Sequence, residues 1–442
     1  MAILTTAPRG TRDVLPKDSA KWQYVERSLL ETAGLFGFQE IRVPTFEHTE
    51  LFQRSVGETT DVVNKEMYTF TDKGGRSITL RPEGTAGIAR AAVQNGLLGE
   101  ALPLKVSYVF NCFRYEKPQN GRFREFEQFG AELMGAAAPT ADAEVISLVY
   151  EGLQSLGLGR VHVELNSIGC PDCRAEYHKA LKAYFDAHRD GLCRTCLERL
   201  DKNPMRILDC KNPDCQEIAK GAPRVLDFLC EDCQAHFDQV QGLLSGAKIP
   251  FRINPGIVRG LDYYPRTVFE LVYTYGDGHT LVCGGGGRYG GLLREIGGPD
   301  CEGVGVGMGV DRLLMVMQEE GCDFPPENTC DVYLVSVGGR AGREAFRLAG
   351  VLRGEGFFAQ SDLMGRSVKA QMKYADKIGA KYTMVLGDSE LDSGEATLKA
   401  MNSGKTKGIP LGDGFADSMY EEILSSAYAD LEEAAEGLEP GF

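Results

Sequence analysis

Residues 104–135 constrain the fold of this chain more than any other segment. Leu104 to Glu116 and Glu125 to Gly135 alternate apolar and polar side chains on either side of a short Pro/Asn/Gly turn region. Alternation has the period of a strand, and those turn residues suit a reversal, so the segment predicts a long antiparallel hairpin. Its loop and inner ends carry Arg114, Arg122 and Arg124 among several carboxylates. Guanidinium groups presented by a rigid ribbon offer forked donors to polyphosphate oxygens. The same pattern on a solvated hairpin would be surface ion pairs of little energetic weight.

The rest of the chain decides between those readings. With 442 residues it can hold two or three domains with real cores. A hydrophobic fraction of 43% and a charged fraction of 25% are those of an ordinary soluble protein. The opening residues MAILTTAPRG lack a signal-peptide apolar core, and no run of 18 apolar residues occurs. A cytoplasmic protein with no membrane partner is expected. In a reducing compartment the 13 cysteines are not a disulfide framework. The net charge of −15 argues against a uniformly nucleic-acid-coating surface, yet leaves room for a local basic site.

Helical spacing of Trp22, Val25, Leu29, Ala33 and Phe36 predicts a helix over 18–36, followed by a strand over 39–43 that stops at Pro44. A second helix is expected from Gly84 to Leu97, and another from Ala141 to Leu156. Strands are expected over 267–275, 280–283 and 303–309. These define one larger α+β domain on an antiparallel sheet, in two parts, 1–168 and 250–322. Between them, residues 169–249 read as a Cys-rich, mainly helical insertion. A Pro/polar linker over 321–329 precedes a βαβαβ pattern, which predicts a small α/β domain over 330–428 with a parallel or mixed sheet. Glu432, Glu433, Glu436 and Glu439 mark an acidic tail, 429–442.

Several short motifs carry chemistry. Arg81-Pro82-Glu83-Gly84-Thr85 ends a strand and opens a helix, so Glu83 and Thr85 either meet a ligand ammonium or cap that helix. Arg259-Gly260-Leu261-Asp262-Tyr263-Tyr264 places two tyrosines beside Arg and Asp, as a polar pocket with aromatic walls or as cross-strand packing. The run Gly284 to Gly291 formally matches GxGxxG at Gly285, Gly287 and Gly290. Its neighbours read as antiparallel sheet and not as βαβ, which rejects a dinucleotide fold. Gly303 to Val310 alternates glycine with apolar residues, giving a strand bare on one face, a flat floor for a planar base across which Arg312 can reach. No P-loop occurs anywhere.

Eight cysteines pair closely: Cys170 with Cys173, Cys193 with Cys196, Cys210 with Cys215, and Cys230 with Cys233. Short-spaced thiols fit tetrahedral zinc or remain as reduced, partly buried thiols; no thioredoxin-like context supports redox catalysis. The 19 residues between the first two pairs match a ribbon-like grouping. Topology favours another, because an insertion leaves and rejoins its host at neighbouring points. That would join Cys170 and Cys173 to Cys230 and Cys233, leaving four cysteines for an inner site. Arg366, Lys369, Lys373 and Lys377 recur at helical spacing as one basic stripe, either a solvated face or a phosphate-backbone contact.

Taken together, the segments from Pro8-Arg9-Gly10-Thr11-Arg12-Asp13 to about residue 424 resemble the class II aminoacyl-tRNA synthetases, and within them the histidyl-tRNA synthetase family. The hairpin is similar to that class's motif 2, residues 305–314 to motif 3, and the helix and strand ending at Pro44 to motif 1, which builds a homodimer. Residues 259–264 and 285–289 resemble the two histidine-specific motifs. The resemblance implies that the α+β domain is the catalytic domain, and that Arg114, Glu116, Arg122 and Arg312 bind ATP, with Mg2+ on its phosphates. It implies Glu83, Thr85, Gln128, Glu132, Arg259, Tyr263 and Tyr264 for L-histidine, with Arg259 and Arg114 catalytic. It also implies tRNA(His) as partner, met by Lys117 and Gln119 on the hairpin loop and by the basic stripe of an anticodon-binding domain.

Two positions depart from the family pattern: Gly290 stands where Asp is usual, and Glu127 where His is frequent. The family does not in general need a metal in its insertion, so zinc rests on cysteine spacing alone. Two alternatives compete. A non-catalytic relative, similar to the regulatory subunit of ATP phosphoribosyltransferase, would lack the Arg259 to Tyr264 motif and the last domain. A zinc-dependent nucleic-acid-binding protein would leave the arginines and the glycine floor unexplained.

Overall fold

The computed structural model describes residues 5–56, 62–119, 121–208, 210–257, 264–325 and 329–436. The chain divides into two compact units, 1–325 and 326–442. Strands of the first are β1 (Gln39–Glu40), β2 (Phe46–His48), β3 (Thr69–Thr71), β4 (Ser77–Leu80), β5 (Leu104–Phe113), β6 (Glu125–Met134), β7 (Val161–Ser167), β8 (Phe251–Ile253), β9 (Thr267–Thr274), β10 (Thr280–Tyr289) and β11 (Gly303–Gly309). Its helices are α1 (Pro16–Leu35), α2 (Thr49–Val56), α3 (Thr85–Gln94), α4 (Pro139–Ser155), α5 (Pro171–Ala187), α6 (Arg194–Lys202), α7 (Pro213–Lys220), α8 (Glu231–Gly246), α9 (Leu292–Glu295) and α10 (Val310–Glu320).

The predicted hairpin is β5–β6, paired in unbroken register from Leu104 opposite Met134 to Phe113 opposite Glu125. It lies within an eight-stranded sheet of order β1-β5-β6-β11-β10-β9-β7-β8. The sheet is antiparallel except at its edges, where β1 joins β5 and β8 joins β7 in parallel. Strand alternation then sorts the side chains. Phe129, Ala131 and Leu133 of β6 and Val304, Val306 and Met308 of β11 face the main core with α1, α4 and α10. On the opposite face, Val106, Tyr108, Phe110 and Cys112 of β5 pack with Ile88, Ala89 and Ala92 of α3. The glycines of β11 therefore all look toward the α3 side. Residues β2, β4 and β3 form a small separate sheet in that order.

Two strands differ from their expected lengths. The strand after α1 pairs only through Gln39 and Glu40, with one further amide bond from Ile41 to the Ser107 carbonyl, before Pro44. The strand starting at Thr280 does not stop at Cys283 but runs through the glycines to Tyr289, because β11 approaches too closely for side chains. A Cβ on Gly286 would stand 2.0 Å from the Gly305 carbonyl oxygen. The insertion holds α5 to α8 and has its own core of Tyr177, Leu181, Phe185, Leu200 and Ile207. The far end of α8, with Phe237, Val240 and Leu244, belongs instead to the main core against α4.

The second unit has strands β12 (Val332–Ser336), β13 (Ala359–Ser361), β14 (Tyr382–Leu386), β15 (Glu395–Ala400) and β16 (Thr406–Pro410). Its helices are α11 (Gly338–Gly354), α12 (Val368–Lys377), α13 (Asp388–Ser393) and α14 (Phe415–Glu436). The sheet order is β13-β12-β14-β15-β16, parallel around β12 and antiparallel beyond β14. Expected as βαβαβ, the unit thus gains an antiparallel edge. The acidic stretch read as the start of a tail continues α14 as far as Glu436.

Candidate active site

One cavity opens on the glycine face of the sheet, with Gly284, Gly285, Gly307 and Gly309 among its lining residues. Arg114, Arg122 and Arg312 all enter it, with Glu116 between them. Each guanidinium is aimed by its own element. Arg114, just past β5, donates Nε to the Pro82 carbonyl at 2.8 Å. Arg312, in the first turn of α10, donates to the Gly121 carbonyl at 2.8 Å and to the Val282 carbonyl at 2.5 Å. Arg122, on the hairpin loop, pairs with Glu116 at 3.2 Å, and Arg114 stands 4.0 Å from the same carboxylate. Burial pushes the Arg312 pKa down from its ordinary value, and repulsion from Arg122 and Arg114 adds to that. A guanidinium stays charged regardless. The result is a cationic cluster short of counter-charge, the environment a polyphosphate relieves. Phe123 and Phe126 add apolar wall beside it.

The other end of the cavity is polar and closely hydrogen-bonded. Glu83 accepts from the Thr85 and Ala86 amides at 2.7 and 2.9 Å, so it caps α3 and lines the cavity at once. Thr85 donates its hydroxyl to Glu132 Oε1 at 2.6 Å, and Tyr289 donates to Glu132 Oε2 at 2.9 Å. Glu132 is fully buried beneath this end. Burial pushes its carboxyl up to about 8, against the pull of those two hydroxyls. A ligand that brings an N–H or a positive charge there favours the ionised form. Only glycine fits opposite: a Cβ on Gly305 would lie 1.9 Å from Glu132 Oε2. Gln128, on the same face of β6, accepts from the Tyr108 hydroxyl at 3.3 Å, and Tyr264 closes the wall.

Of the residues expected at the site, the structure brings Glu83, Thr85, Arg114, Glu116, Arg122, Gln128, Tyr264 and Arg312 together around one cavity, with Glu132 beneath it. Arg259 and Tyr263 lie outside the described residues. Tyr289 was expected only as part of the motif 285–289, with no partner named, and Tyr108 was not expected at all; alternation along β5 back from Arg114 is the signal that points to Tyr108. Arg124, by contrast, turns away, donating to the Glu116 carbonyl and stacking on Tyr115 at 3.8 Å. Glu127 is explained by the pleat. Its neighbours Phe126 and Gln128 line the cavity, while Glu127 points behind the sheet toward Glu26 of α1 and Asp311. Burial and those two carboxylates push it up to about 8. Its amide donates to Asp311 Oδ2 at 3.0 Å, and Arg12 pairs with Oδ1 at 2.5 Å.

Lys117 and Gln119 are exposed on the hairpin loop. In the second unit Lys369, Lys373 and Lys377 are exposed along α12. Arg366 departs from that stripe: it precedes the helix, pairs with Asp362 at 2.9 Å and stacks 4.4 Å from the Tyr374 ring.

The eight insertion cysteines form two groups of four, Cys170, Cys173, Cys230 and Cys233, and Cys193, Cys196, Cys210 and Cys215. Within each, all four sulfurs lie within 4.8 Å of one another. This is the grouping that topology favoured over the ribbon-like one. Cys170, Cys193 and Cys230 are helix N-caps, so their thiols sit at positive dipole ends. Backbone amides also reach sulfur: Cys230 to Cys173 Sγ at 3.1 Å, Cys193 to Cys215 Sγ at 3.2 Å and Asn212 to Cys210 Sγ at 3.4 Å.

Known proteins match this geometry along nearly the whole chain. A sequence profile described as Histidyl-tRNA synthetase matches residues 10–313, and one described as Anticodon binding domain matches 331–416. The histidine–tRNA ligase of Caldicellulosiruptor bescii is 51% identical over 397 residues, covering 90% of this chain and 94% of that protein. That of Halothermothrix orenii is 51% identical over 405 residues, covering 92% and 96%. The crystal structure of apo S. aureus histidyl-tRNA synthetase superposes with a TM-score of 0.81 at 40% identity, over 94% of this chain and 100% of that one. An ATP phosphoribosyltransferase regulatory subunit/histidyl-tRNA synthetase from Bacillus halodurans shares the fold, with a TM-score of 0.64 at 24% identity, over 88% of this chain and 99% of that one. The chain belongs to the histidyl-tRNA synthetase family.

Proposed function

We infer that the chain activates L-histidine with ATP and transfers it to the 3′ end of tRNA(His). The observation that carries this is the pairing, in one cavity, of a three-guanidinium cluster with a pocket of buried carboxylates. In the first step a histidine carboxylate oxygen bonds to the α-phosphorus of ATP and pyrophosphate leaves. In the second a terminal ribose hydroxyl attacks the adenylate carbonyl and AMP leaves. The first step needs no protein base, because the nucleophile is already an anion; positioning and charge neutralisation supply the catalysis. Arg114, Arg122 and Arg312 hold the phosphates; Glu116, the carboxylate among those arginines, would help hold a phosphate-bound Mg2+, which would share the charge neutralisation.

Glu83, Thr85 and Gln128 receive the amino group of histidine, and Glu132 with Tyr264 the imidazole. Glu132 suits that role because an imidazole N–H satisfies a carboxylate otherwise costly to ionise there. The motif assigns Arg259 to the carboxylate and α-phosphate, and Tyr263 to the same pocket. Lys117 and Gln119 meet the tRNA acceptor end. Lys369, Lys373 and Lys377, with Arg366 at their margin, meet the anticodon side through phosphate contacts. A homodimer is supported by exposed Leu35 and Phe46 flanking the edge strand β1. Among the described residues no helix is long and apolar enough to cross a membrane; the cytoplasm is the compartment this function requires. The regulatory-subunit alternative has only the shared fold in its favour.

Purified protein is expected to exchange pyrophosphate into ATP only when L-histidine is added. Exchange indifferent to which amino acid is present, or no exchange, would sink the reading. The two cysteine groups are read as structural zinc sites. A tetrahedral ion at about 2.3 Å from each sulfur sets the sulfurs about 3.8 Å apart, and Cys193 and Cys210 are 3.8 Å apart. Elemental analysis of protein purified without added metal is expected to give about two zinc equivalents per chain; less than roughly half an equivalent would remove zinc from the account.

A further inference from the structure

We propose that the outer cysteine group and Arg174 form a metal-dependent brace that positions Tyr264, and thereby sets affinity for histidine and not for ATP. The proposal rests on the assignment of Tyr264 to the histidine pocket. Three hydrogen bonds connect the turn bearing Cys170 and Cys173 to Tyr264 and the start of β9. The Arg266 amide donates to the Gly169 carbonyl at 2.9 Å, and the Ile168 amide donates back to the Arg266 carbonyl at 2.8 Å. Arg174, next in sequence to Cys173, donates Nη1 to the Tyr264 carbonyl at 2.8 Å.

The backbone at this junction needs outside support. Arg266 has φ 54°, a left-handed conformation unfavourable for a residue with a Cβ, and Gly169 facing it has φ 67°. Tyr264 is itself 5% exposed and packs in the insertion's core with Ile168 and Tyr177, not in the main core of the sheet. A wall of the cavity is therefore anchored in the insertion. At that point the insertion carries the group Cys170, Cys173, Cys230 and Cys233, whose four sulfurs lie within 4.8 Å of one another. An ion there cross-links the start of α5 to the start of α8 and removes the freedom of the turn.

Loss of the ion need not unfold the domain. The far end of α8 is held independently by Phe237, Val240 and Leu244 in the main core, and by His236 against Asp142 at 3.1 Å. The phosphate end of the cavity is held by β5, β6, β11 and α10, which none of the three bonds reaches. The predicted consequence is selective: a displaced Tyr264 weakens histidine and leaves ATP alone.

Arg174→Ala tests this while keeping all eight thiols. Losing a charge-assisted hydrogen bond that holds the wall is expected to raise the KM and the calorimetric Kd for histidine about tenfold. The KM for ATP and the zinc content should stay unchanged, and Arg174→Lys should recover most of the loss. The double variant Cys230→Ser/Cys233→Ser should lose one zinc and show the same selective rise. Histidine affinity within twofold of wild type in both variants would overturn the brace. So would a rise shared equally by ATP, or loss of zinc from Arg174→Ala, since either makes Arg174 a general folding residue. Wild-type protein without zinc would defeat the metal assignment and the metal dependence together. Wild-type exchange that ignores histidine would instead defeat the pocket assignment, so the failures are distinguishable.

Discussion

Replacing Arg312 by Ala is expected to lower histidine-dependent ATP–pyrophosphate exchange by about 10²–10³-fold, the range for removing one preorganised donor from developing charge. Arg312 is already desolvated, and its direction is set before substrate arrives by bonds to the Gly121 and Val282 carbonyls. A donor fixed in this way needs no reorganisation when charge moves onto the bridging oxygen and pyrophosphate departs. The variant's fold should survive. Two carbonyls lose a partner beside a cavity that water enters, which costs about 1–3 kcal/mol against a domain stability of roughly 5–15 kcal/mol. The loss should fall on kcat and on the KM for ATP, with histidine binding by calorimetry within about threefold, because Glu132 and Thr85 lie at the other end. Arg312→Lys should recover only part, since an ammonium keeps the charge but not the fork. A fall in exchange smaller than about tenfold, in protein with an unchanged melting temperature, would take Arg312 out of the clamp.

The arginine end of this cavity was legible in the sequence because its residues sit where local pattern speaks loudest. A ten-pair hairpin is written in alternation, and Gly305, Gly307 and Gly309 are written as an interrupted apolar strand. Adjacent residues on one strand were harder. Arg288 and Tyr289 belong to one motif, yet Tyr289 bonds Glu132 beneath the cavity while Arg288 is wholly buried behind the sheet. Glu127 and Gln128 part in the same way. Alternation predicts that neighbours diverge, but which one faces the ligand depends on the register of β6 with β11, a tertiary fact. Arg366 departs from the expected helical stripe for a similar reason: its spacing fits the helix, but the chain is not yet helical there and Asp362 pairs with it. The cysteine grouping was recoverable, because an insertion must close on itself. The contribution of Ile168 and Tyr177 to the surroundings of Tyr264 was not, since nothing in either sequence segment points to the other.

Arg288→Met is expected to be among the most destabilising substitutions in the chain, costing about 3–5 kcal/mol, the range for breaking a buried ion pair from one side. Its guanidinium is 0% exposed and meets Asp142 on α4 through Nε at 3.2 Å and also through Nη2. It further bonds the Ala136 and Ala138 carbonyls at 2.9 and 3.0 Å and Glu302 at 2.8 Å. Burial alone would raise Asp142, but bonds from His236 and Arg288 overcome it and hold the carboxyl below its ordinary value. Met conserves length and removes every guanidinium donor, leaving that carboxylate with His236 as its remaining partner and two carbonyls unpaired inside the domain. Unfolding of the first unit can be followed alone, because the single tryptophan, Trp22, packs on its core. The urea midpoint of the Trp22 signal should drop by the corresponding amount. Adding Asp142→Leu should restore part of it, because replacing both partners by apolar groups also removes the orphaned charge. Lost activity should follow lost fold in this variant, with histidine affinity of the folded fraction near wild type, as Tyr289 lies on the other face of the same strand. A midpoint within about 0.5 kcal/mol of wild type, the ordinary range for surface positions, would mean that Arg288 does not hold α4 to the sheet.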